Sequence, residues 1–105
     1  MPEYAQQQKE AYQEQRQKQL QKLKTQMEEL KARTAEASEQ AKAEFQKLIQ
    51  DVQKKQEAAQ KKLKELQAAS AETWEEVKVA LDVAMEEVQK SYEKFRARWS
   101  DKENV

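Results

Sequence analysis

From Leu20 onward, apolar and small side chains recur in steps of three and four. The stripe runs Leu20, Leu23, Met27, Leu30, Thr34, Ala37, Ala41, Phe45, Leu48, Val52, Gln56, Ala59, Leu63 and Leu66. It continues through Ser70, Trp74, Val77, Leu81, Ala84, Val88, Tyr92, Phe95 and Trp99. This spacing lines one face of an α-helix and is that of a coiled-coil seam. Its 22 steps span 79 residues, about 3.59 residues per step. That value lies between the ~3.5 of a left-handed supercoil and the ~3.67 of an eleven-residue repeat, so the helices should pack nearly straight. The preceding segment, 1–19, is polar and glutamine-rich and has little beyond Tyr4 and Tyr12 to bury. Packing supplies most helix stability, so this segment is expected to fray.

Two places invite a break. The seam thins to Thr34, Ala37 and Ala41, with Ser38 between them. Residues 67–73 also lack a large apolar side chain, and Thr73 followed by Glu76 has capping-box spacing ahead of an apolar run. The second signal is the stronger. The expected fold is therefore all-α. A long helix over about 5–68, with its coiled-coil part at 20–68, turns at 69–72 into an antiparallel amphipathic helix over 73–100, followed by a short tail at 101–105. In this helical hairpin the seams are completed by self-association. A second break near 34–38 would give a three-helix bundle instead, and no break at all would give one continuous helix in an oligomer.

Composition fits a helical chain. Glycine, histidine and cysteine are absent and the only proline is Pro2, so nothing between Glu3 and Val105 forces the backbone out of the α region. Hydrophobic residues make up 37% and charged residues 38%, a supply suited to a narrow seam between helices. Acid-before-base pairs four apart (Glu14–Lys18, Glu29–Arg33, Asp51–Lys55, Glu57–Lys61, Glu86–Lys90) suit solvated helix faces. The last helix is different: it holds Trp74 and Trp99, Tyr92, Phe95, Met85 and four valines, with Val79 and Val83 lying off its main stripe.

Charge and chemistry narrow the function classes. Twenty basic and twenty acidic residues cancel, which argues against general attraction to nucleic acid. No dense basic region precedes the seam as in a basic zipper. Without histidine, cysteine or a glycine-rich loop, the usual proton-transfer, thiol, zinc and phosphate-cradle chemistries are missing. Adjacent acids such as Glu28–Glu29 and Glu75–Glu76 diverge around a helix, and Glu-x-x-His metal pairs are impossible. The chain is therefore expected to be no enzyme, with no cofactor, metal site or small-molecule substrate. No apolar signal region opens it and no stretch is long enough to span a bilayer, which makes a cytoplasmic protein the expectation.

The stretches Ala41-Lys-Ala-Glu-Phe-Gln-Lys-Leu-Ile49 and Ala58–Lys78, the latter ending Ser-Ala-Glu-Thr-Trp-Glu-Glu-Val-Lys, resemble a family of small bacterial coiled-coil proteins. These occur in proteobacteria and cyanobacteria and carry stress-response or uncharacterised labels. The resemblance covers residues 20–98 and centres on Ser70–Lys78. It implies a long helix, a short turn and a shorter amphipathic helix, with no catalytic residues to carry over. Ala71 and Glu72 stand where the family has a turn glycine and aspartate, which makes a continuous helix more plausible here. The family also has loose similarity to exchangeable apolipoproteins.

The functional expectation is a non-enzymatic structural or protein-interaction coiled coil, stress-associated by resemblance. Its partner would be a second copy or another coiled-coil protein. The interaction seam would be Leu20, Leu23, Met27, Leu30, Phe45, Leu48, Val52, Leu63, Leu66, Trp74, Val77, Leu81, Val88, Tyr92, Phe95 and Trp99. The alternative is a peripheral protein that lays its aromatic C-terminal helix on a membrane surface.

Overall fold

The computed structural model describes the backbone of residues 2–103 and the side chains of residues 6–100. The described residues form three α-helices: α1, Pro2–Thr34; α2, Glu39–Ala68; and α3, Trp74–Glu103. They run up, down and up as a bundle with extents of 57 × 16 × 16 Å. A continuous helix over 5–68 would alone reach roughly 96 Å at ~1.5 Å per residue. The long-helix hairpin is thus corrected to the three-helix bundle, and the segment assigned to one coiled-coil helix, 20–68, is two helices.

The break at 35–38 has a local cause and a tertiary one. Locally, the Thr34 hydroxyl donates back to the Lys31 carbonyl oxygen at 2.7 Å, and tight turn bonds follow from Ala35, Glu36 and Ala37. Ser38 then takes an extended conformation, φ −63° and ψ 159°, and its hydroxyl accepts from the Ala41 amide at 3.3 Å, capping α2. Ala35, Glu36 and Ser38 are exposed and have little packing to lose. Folding α1 back lets Leu20, Leu23, Met27 and Leu30 bury within the same chain, so the apolar gain outweighs the few helical bonds given up.

The second turn, at 69–73, falls where a turn is expected but is built differently. The Thr73 hydroxyl does not cap Glu76; it accepts from the Ser70 amide at 3.2 Å and lies 2.9 Å from the Ser70 hydroxyl. The Ser70 carbonyl oxygen accepts from both Thr73 and Trp74 amides. Ala69 closes α2 in an extended conformation, φ −72° and ψ 147°, and no described residue has positive φ. The missing glycine is therefore never needed.

Residues 2–19 of the segment expected to fray lie within α1. Lys9, only 5% exposed, donates to the carbonyl oxygens of Gln67 (3.0 Å) and Ala69 (2.5 Å). The last turn of α2 has no basic residue of its own. A cation from α1 thus satisfies carbonyls and meets the negative end of the helix dipole.

Candidate interaction surface

The seam residues close on one another inside the chain. Leu20, Leu23, Leu63, Leu66, Trp74, Leu81 and Val88 form one buried cluster with Ala59 and Met85, and Val77 packs against it. Met27, Leu30, Phe45, Val52 and Phe95 form a second with Ile49, flanked by Leu48 and Trp99. Tyr92 touches both clusters and joins them. The Phe45 ring lies 5.9 Å from Phe95 and 5.4 Å from Trp99, centroid to centroid. The seam is therefore the core of a single copy. The aromatic side chains of α3 on which the alternative, membrane-surface reading rests (Trp74, Tyr92, Phe95 and Trp99) lie in or against these clusters, and no helix among the described residues is long and apolar enough to cross a bilayer.

Polar ties that the stripe does not announce fasten the helices. The Tyr12 hydroxyl donates to Asp82 Oδ1, which also accepts from Arg16 Nη2 at 2.9 Å. Arg16 and Lys78 stand over the Tyr12 ring at 5.1 and 5.3 Å. Burial first, and then the bond to Asp82, pushes the Tyr12 phenol up to about 12. A pKa raised on folding contributes stability that is present below pH ~10 and lost as pH rises through about 12. Absorbance titration at a tyrosinate wavelength should show a late step near pH 12 that Tyr12→Phe removes; unchanged curves would contradict the buried tie. Across α2 and α3, Ser91 donates to Asp51 Oδ2 at 2.8 Å, Lys55 pairs with Glu87 at 3.7 Å, and Arg98 pairs with Glu44. Of the five acid–base pairs expected within helices, Glu14–Lys18 (3.2 Å) and Glu86–Lys90 (3.1 Å) form. Asp51 and Lys55 reach α3 instead. Their positions at the edge of the seam were the only signal for this.

One groove of about 350 Å³ is an open trough between α1 and α2 lined by Leu20, Lys24, Glu28, Gln53, Gln56, Glu57 and Gln60. Gln56 occupies a seam position there, and its buried Nε2 has no hydrogen-bond partner. Among the described residues no group of acidic side chains is placed to hold a metal ion.

What remains outward is the far face of α3. Val79 and Val83 are 64% and 52% exposed, the large hydrophobic side chains left uncovered among the described residues. At helical spacing around them stand exposed Glu75, Glu76 and Glu86. Glu86 pairs with Lys90, whereas Glu75 and Glu76 have no ion-pair partner among the described residues. On the outward face of α2 stand exposed Lys47, Lys54 and Lys61 at seven-residue spacing, with exposed Glu57 and Glu65 at helical spacing beside Lys61. No family model, curated protein or solved structure matches this chain.

Proposed function

We propose that this chain is a non-enzymatic interaction module, a small helical bundle that works by presenting helix surface to a protein partner. One observation carries the reading. The apolar seam is consumed inside the fold, yet Val79 and Val83 stay exposed between carboxylates on the outward face of α3. An apolar pair ringed by charge has the anatomy of a small interface, with a dry centre and a polar rim. A stress-associated role belongs to this proposal through the family resemblance alone.

The test is affinity capture from the native host with the wild-type chain and with Val79→Asp/Val83→Asp as bait. Both positions are exposed, so the variant should keep its helical circular dichroism and unfolding midpoint. Wild type is expected to retain a partner that the variant loses. Equal recovery on both baits would overturn the reading. A peripheral lipid role makes a different demand, because Trp74 is 4% exposed. Tryptophan emission should stay unshifted with anionic vesicles unless the bundle opens.

A further inference from the structure

Resting on that reading, we propose that the partner is a second copy of this chain. Two copies pair so that the Glu76–Val79–Val83–Glu86 strip of α3 in each lies on the Lys54–Ala58–Lys61 strip of α2 in the other. All of these side chains except Glu86 lack an ion-pair partner among the described residues where they are charged, and all are exposed.

Register supports the match. The ties Glu44–Arg98, Asp51–Ser91 and Lys55–Glu87 set α2 and α3 antiparallel, each step along one answered by an equal step back along the other. Continuing that register puts Ala58 level with Ala84, beside Val83, and Lys54 level with Val88, within one helical turn of Glu86. Lys61 comes level with Leu81, between Val79 and Val83 and above Glu76. The acidic and basic strips therefore sit at the same height on neighbouring faces of one bundle. A two-fold axis parallel to the helices turns each onto the other copy's opposite strip, and a two-fold interface is self-complementary in this way.

Charge selects this arrangement over its rival. Laying α3 directly on α3 would also join the valines, but the two-fold relation would bring Glu76 against Glu86 and add like-charge repulsion. On α2, the small Ala58 leaves room for a valine, and lysine stems can cover apolar surface while their ammonium groups reach carboxylates. A formal net charge of zero removes long-range repulsion between copies. Two valines per copy make a modest dry centre, so the pairing should be reversible and salt-sensitive.

Sedimentation equilibrium of the full chain is the test. At low salt the wild type is expected to pass from monomer to dimer with rising concentration, with association weakening roughly tenfold or more near ~0.5 M salt. Glu76→Lys/Glu86→Lys should be monomeric over the same range, and adding Lys54→Glu/Lys61→Glu in the same chain should restore the dimer. A wild type that stays monomeric up to about millimolar concentration would overturn the proposal, a range in which weak specific pairs are still seen. So would a dimer indifferent to the reversal, or one that the second reversal fails to rescue. If the pure protein is monomeric while host capture still depends on Val79 and Val83, only the second-copy assignment falls.

Discussion

Leu63→Asp is expected to leave the chain without a cooperative fold. Leu63 lies in the middle of α2 at 1% exposure, within the cluster that also holds Leu20, Leu23, Ala59, Leu66, Leu81 and Met85. Truncating a buried leucine costs about 2–5 kcal/mol before any polar atom is considered. An unpaired carboxylate in its place adds a desolvation penalty of several kcal/mol. Domains of this size have about 5–15 kcal/mol in total. Far-ultraviolet circular dichroism should show a large loss of helix, with no sigmoidal urea transition. Lys64→Asp, one residue along on the exposed face, should stay within about 0.5 kcal/mol of wild type. If Leu63→Asp unfolds within about 1 kcal/mol of wild type, the side chain does not face the interior and the packing of α1 on α2 is wrong.

Phe45→Ala tests the other cluster. Its ring is fully buried and meets both Phe95 and Trp99. The lost transfer free energy and the cavity left behind come to about 3–5 kcal/mol, and the aromatic pairs belong to the upper part of that range. A domain near this length loses about 4–8 °C of Tm per kcal/mol, so the midpoint should fall by roughly 15 °C or more. Trp99 emission should change as well, because its indole loses the ring on which it rests. Phe45→Leu should recover much of the loss. A drop under about 1 kcal/mol in Phe45→Ala would mean that α1, α2 and α3 do not converge at this end. Because Tyr92 touches both clusters, each substitution should reduce the stability of the whole bundle rather than melt one end.

The stripe from Leu20 to Trp99 identifies the helices and most of the buried side chains, because a 3.6-residue period records which face is apolar. It does not record what covers that face. A seam satisfied by a neighbouring copy and one satisfied by the same chain folded back have the same spacing, so the break at Thr34–Ser38 turns on a tertiary balance that local pattern cannot weigh. Thr73 marked the start of α3, although its hydroxyl turns to Ser70 and not to Glu76. Lys9, Tyr12 and Arg16 were hidden for another reason. They lie in a glutamine-rich stretch with almost no hydrophobic signal, and the groups they bind (the Gln67 and Ala69 carbonyl oxygens and Asp82) are about sixty to seventy residues away. The outward pair Val79 and Val83 was legible as a departure from the main stripe, whereas their uncovered state needed the placement of all three helices.

The two short connections also bear on how the chain finds its fold. Each helix packs beside its neighbour in sequence, and both turns keep every residue in ordinary right-handed or extended conformations. Most contacts can form through short-range closure, without a long search for distant partners. Helical bundles with such local contacts fold on the order of microseconds to milliseconds. A chain that returns to order so quickly exposes its apolar seam only briefly at each opening, while its thermodynamic margin sets how often such openings occur.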